Sequence, residues 1–190
     1  MKNIITWYMG FFGIIIIIGL PALSGAFDIH LTEEQIKEAN DYGKKYKGKD
    51  IFDSPVVKQA CFGEYPVGGG GLIMSKYIKI AVSSAMRSMK DQSLTPDDLK
   101  EIGESETFNV VVSVPDEGIQ SPQDVQIILR QGTNTILPQK TEFGMKYKNN
   151  RQGIVGTFRY DKIHPRASTS IIVKMKKSEE KYKIDFSDVK

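Results

Sequence analysis

At residue 106 the spacing of apolar side chains changes from three and four to two, and this switch constrains the fold of the 190-residue chain more than any other feature. Before it, Met74, Ile78, Ala81, Val82, Ala85 and Met89 recur at helical spacing and make one broad apolar stripe. After it, Phe108, Val110, Val112 and Val114 alternate with Asn109, Val111 and Ser113, the pattern of a strand with a buried face. Helices are therefore expected first and a sheet second.

The loop from Pro115 to Pro122 ends the first strand, and further strands are expected over 125–131, 135–143 and 154–161, with Gly132-Thr133-Asn134 as a turn. Ile171, Val173 and Met175 oppose Tyr182, Ile184 and Phe186 in a last pair, joined around Ser178 and Glu179. About six short strands without intervening helices predict an antiparallel β-sandwich. In strand pattern alone the last 85 residues resemble immunoglobulin-like sandwiches, and the resemblance brings no motif residues with it. The expected class is α+β: an N-terminal helical segment at 27–104, with a glycine-rich loop, followed by a sandwich at 105–190.

Two helix starts are locally specified. Thr32 is placed as an N-cap with Gln35 as its capping-box partner, and Leu31 and Ile36 as a hydrophobic staple. This helix runs through Ala39, Tyr42 and Tyr46, should stop near Gly48, and has a thin apolar face suited to a surface element. Thr95-Pro96-Asp97-Asp98 places a cap, a first-turn proline and acids at the start of another. Residues 49–71 read as irregular, broken by Pro55, Gly63, Pro66 and the run Gly68 to Gly71.

The first 26 residues have a separate logic. Lys2 precedes an uncharged apolar run from Ile4 to Leu20, then Pro21 and the small residues Ser24 and Ala26. This is the pattern of a secretory signal peptide cleaved after Ala26. The alternative is an uncleaved anchor, since 17 apolar residues reach the lower end of the roughly 17–25 that span a bilayer. Either way the remainder is expected outside the cytoplasm, periplasmic or secreted, because Lys2 precedes the segment and Asp28, Glu33 and Glu34 follow it. A membrane contact is expected only if the segment stays attached.

Cys61 is the single cysteine, which excludes a disulfide framework and a cysteine-built metal site. A buried small hydrophobe is its ordinary role, a reactive thiol the alternative. With 26 basic and 23 acidic residues the chain lacks the strong basic excess of a nucleic-acid binder. The halves differ, however: residues 27–104 sum to −2 and residues 105–190 to +4.

No catalytic motif emerges, and no cofactor or metal is expected. Gly68, Gly69, Gly70 and Gly71 before a helix suggest an anion site, yet the phosphate-loop glycine-lysine pair is missing, and a flexible or closely packed connection is the plainer reading. Cys61 with His164 and Asp161 would make a thiol nucleophile only if the fold brought them within hydrogen-bond reach. His30 and His164 have no paired metal-ligand spacing, and no G-x-S-x-G occurs. Lys140, Lys146, Lys148 and Arg151 cluster around Phe143 and Tyr147 in what reads as an inter-strand loop. Such a loop could meet an anionic lipid, a cell-wall polymer or an acidic partner, or simply solvate a hairpin.

These readings favour an exported, non-enzymatic binding or scaffold module of the cell envelope, with a protein or envelope component as partner. The alternatives are an envelope enzyme or subunit using Cys61, and a membrane-anchored component of an envelope assembly.

Overall fold

In the computed structural model, which describes residues 27 and 29–190, nine strands form two antiparallel sheets beside four helices. The expected signal segment lies outside the described residues. Among those described, no helix is long and apolar enough to cross a membrane.

The helices are α1 (Glu33–Lys44), α2 (Pro55–Gln59), α3 (Lys76–Ser88) and α4 (Pro96–Glu104). Thr32 and Gln35 close the expected capping box, and Thr95 closes one with Asp98. Helix α1 ends at Lys44, a turn before Gly48. It lies tight against α3: a Cβ on Gly43 would stand 2.2 Å from the Ala81 carbonyl oxygen, so only glycine permits the approach. The expected stripe of α3 is buried at Ile78, Ala81, Val82 and Ala85, but its ends differ. Ser75 caps the helix, Met74 belongs to a preceding strand, and Met89 is 56% exposed.

The strands are β1 (Cys61–Gly63), β2 (Gly70–Met74), β3 (Thr107–Pro115), β4 (Gln126–Gln131), β5 (Asn134–Ile136), β6 (Lys140–Tyr147), β7 (Arg151–Arg159), β8 (Thr169–Met175) and β9 (Ser178–Ile184). One sheet has the order β1-β2-β3-β7-β6, the other β5-β4-β8-β9. Their facing side chains, including Phe108, Val110, Val112, Ile154 and Phe158 from the first and Ile127, Leu129, Ile171 and Val173 from the second, are nearly all fully buried. They belong to the same hydrophobic cluster as Ile78, Ile80 and Ala39 of the helices. α+β with two packed antiparallel sheets is thus the observed class.

Three local expectations need correction. The segment holding Gly68 to Gly71 is not irregular chain leading into a helix; Gly70 and Gly71 are in β2, which pairs with β1 and β3 before α3 begins. Glycines show no periodicity, and Leu72 and Ile73 are buried on both faces, so no alternation announces the strand. The expected strand over 135–143 is two strands in different sheets, parted at Leu137-Pro138, because proline cannot donate to a continuing ladder. The last hairpin turns at Lys176 and Lys177, with Met175 paired to Ser178, so Ser178 and Glu179 are inside β9.

Candidate functional site

Antiparallel pairing brings four connections to one end of the sandwich. They are the β1–β2 hairpin, the β3–β4 loop, the β6–β7 turn at 148–150, and the β8–β9 turn. An open cleft of about 560 Å³ lies there, lined by Glu117, Ile119 and Asp124 on one side and Met175, Lys176 and Lys177 on the other.

The end is fixed by a relay through Ser113, the one hydroxyl in the apolar run of β3 and 1% exposed. Its Oγ donates to the Pro66 carbonyl at 2.9 Å and accepts from Arg151 Nε at 2.8 Å. Arg151 Nη2 also donates to the Ser113 carbonyl at 2.5 Å. The guanidinium thus holds the β1–β2 hairpin onto β3 from the neighbouring strand. Beside it the Tyr65 and Tyr147 hydroxyls share a hydrogen bond of 2.6 Å, their rings edge to face at 5.7 Å. Burial pushes both phenols above the ordinary tyrosine range, and for Tyr65 the bond to Tyr147 adds to the shift. Both are neutral at physiological pH.

The glycine run makes this arrangement possible by close approach. A Cβ on Gly71 would stand 2.1 Å from the Val111 carbonyl oxygen, and one on Gly69 would stand 2.8 Å from the Tyr182 hydroxyl. Tyr182 donates to Glu180 at 2.5 Å and its ring lies 5.1 Å from that of Phe62, which ties β9 of the second sheet to β1 of the first. The hairpin closes on itself through Glu64 N–H to the Gly69 carbonyl and Gly68 N–H to the Glu64 carbonyl, both 2.7 Å. Val67 at its tip is 67% exposed. The four glycines therefore lie in and before a strand rather than at a helix N-terminus, whose cap is Ser75.

The expected basic cluster is divided. Lys146 pairs with Asp116 at 3.0 Å, on the loop whose own N–H donates to the Asn150 carbonyl. Arg151 is committed to Ser113, and Lys140, near the opposite end of β6, pairs with Glu142 at 2.7 Å. Two of the four cations are thus ion-paired, Lys140 and Lys146; Arg151 is held by hydrogen bonds to Ser113 alone, and Lys148 has no ion pair among the described residues. In the cleft the Asp124 carboxylate accepts from the Ser121 and Gln120 N–H groups, which together with nearby Lys176 hold it below the usual carboxylate range.

Cys61 is not joined to His164 and Asp161. Its thiol donates to the Val57 carbonyl, and burial pushes it up to about 11, so it is protonated at neutral pH. Asp161 is held by Arg159, and His164 bonds through its backbone to Gln131. Sequence reasoning missed Tyr65, Ser113, Glu180, Tyr182 and the cleft residues; the lone serine in β3 was the available signal. No protein-family model, curated protein or solved structure matches the chain.

Proposed function

We propose that the protein is an exported, non-enzymatic binding module of the cell envelope that contacts a protein partner through the loop end of its sandwich. The observation that carries this reading is the convergence of four connections around an open cleft, held by the Arg151–Ser113–Pro66 relay and the Tyr65–Tyr147 pair. Loops held by a rigid frame are where binding residues concentrate. The protonated, internally bonded Cys61 supports a structural role for the one thiol. Export rests on the pattern of residues 1–26.

Within this reading the frame is immunoglobulin-like. The order β2-β3-β7-β6 facing β5-β4-β8-β9 supports it, since strands named from β2 in chain order become A-B-E-D against C′-C-F-G. Helices α3 and α4 then occupy the A–B connection. The β3–β4 and β8–β9 loops that line the cleft take the positions of B–C and F–G, which variable domains use for recognition.

Photo-crosslinkers placed at Gly118, Lys148 and Lys177 in intact cells test the proposal. All three are expected to capture one common protein, and crosslinkers at Lys49 and Lys162 to capture none of it. Equal capture at all five positions, or turnover of an ester, glycoside or peptide panel by the purified protein, overturns it.

A further inference from the structure

We infer that the outer face of the β5-β4-β8-β9 sheet docks on an anionic phospholipid surface, a second contact that does not depend on the loop-end reading. Strand register places Arg130, Ser170 and Lys183 in one row across β4, β8 and β9, and Ile128, Ile172 and Lys181 in the next. The alternate residues Ile127, Leu129, Ile171 and Val173 belong to the core cluster between the sheets, so these rows lie on the opposite face, where Ile128 and Ile172 are also buried and the cationic side chains around them are exposed. Arg130, Lys181 and Lys183 are exposed and have no ion pair among the described residues, while Lys174 on the same face is neutralised by Glu179 at 3.2 Å.

Two strand spacings separate Arg130 from Lys183 by about 10 Å, and two residues along β9 separate Lys181 from Lys183 by about 7 Å. These separations are close to the Debye length of about 8–10 Å at physiological salt, so the three charges act together on a partner. They stand on a sheet face rather than in a cleft, and long cationic side chains on such a face can reach one plane together. Charge complementarity to a planar surface of phosphate headgroups is the match. Arg130, Lys181 and Lys183 thus supply part of the excess of +4 in residues 105–190, and on this face no carboxylate pairs with them among the described residues.

The test compares binding of the protein isolated from cells to vesicles of phosphatidylcholine alone and of phosphatidylcholine with 30% phosphatidylglycerol. The ratio of the two affinities is the readout, because an attached apolar segment would affect both alike. The wild type is expected to prefer anionic vesicles at low salt and to lose the preference at 0.5 M salt. R130Q, K181Q and K183Q together should cut the preference about 100-fold, at roughly five-fold per charge. The triple change K37Q, K49Q and K90Q on the helical side, equal in net charge, should alter it by less than about three-fold. If the first triple variant fails to fold, K181Q and K183Q singly should each cost about five-fold. No wild-type preference, equal loss in both triple variants, or R130-, K181- and K183-dependent binding of soluble polyglutamate without binding of vesicles would each overturn the inference.

Discussion

The two ends of the sandwich are built by different chemistry. At one, Phe108 is surrounded by the rings of Phe27, Phe158, Tyr160 and Phe186, with centroids 4.8 to 5.7 Å away. A buried cation joins them: Lys76, 3% exposed, donates from Nζ to the carbonyls of Ile29 and Gly103 and lies 5.6 Å from the Tyr160 ring. At the other end the buried contacts are hydrogen bonds through Ser113, Arg151, Tyr65 and Tyr147. The first end is sealed by area removed from water, the second by directional bonds that leave loop tips such as Val67 exposed. Ring burial and directional hydrogen bonding are thus divided between opposite ends, and the recognition we propose belongs to the second.

The sharpest test of that division is Phe108→Ala, which should cost about 3–5 kcal/mol in chemical denaturation because four rings cannot collapse into the gap. Tyr65→Phe at the loop end should cost only about 1 kcal/mol; similar losses for the two would dissolve the contrast. Lys76→Met should cost about 1–3 kcal/mol by taking the donor away from the part-buried Ile29 and Gly103 carbonyls.

The same lysine sets a pH dependence. Burial lowers its pKa in the fold below the ordinary 10.5, so through that window the unfolded chain binds more protons and stability rises with pH. Burial raises Tyr160 at the same end and Tyr65 at the other, so their contribution is fully present below about pH 10 and is lost above it. Denaturation midpoints should therefore climb towards pH 10 and then fall, and Lys76→Met should flatten only the climb.

Smaller effects belong to the loop end. Ser113→Ala should cost about 1 kcal/mol of stability yet strongly reduce crosslinking from Gly118 and Lys148, since it frees the Pro66 carbonyl and Arg151 from each other. Smallest of all, Cys61→Ala should leave partner capture unchanged. In the wild type, alkylation of Cys61 at pH 8 should run about 100-fold slower than that of an ordinary thiol, as its pKa rises from 9.0 to about 11.

Much of the local structure was legible. Thr32-Gln35 and Thr95-Pro96 fixed two helix starts because capping involves residues three apart. Alternation in Phe108 to Val114 fixed β3, and that at Ile171 to Met175 fixed β8. The candidate site was legible only in pieces: Tyr147, Arg151 and the glycines were singled out, but Ser113, which connects Arg151 to the hairpin, looked like one polar position in a strand. Its partners Pro66 and Arg151 are 47 and 38 residues away.

By itself the sequence determined the change of period at residue 106, the helix caps, the single thiol and the basic excess of the second half, all of which rest on neighbouring residues or on composition. Tertiary structure alone decided that β2 joins β3 despite its glycines, that β5 and β6 separate into two sheets, and which cations remain unpaired. Pairing between strands distant in sequence is settled by burial and close approach across the fold, and a charge count does not reveal which lysines already face a carboxylate.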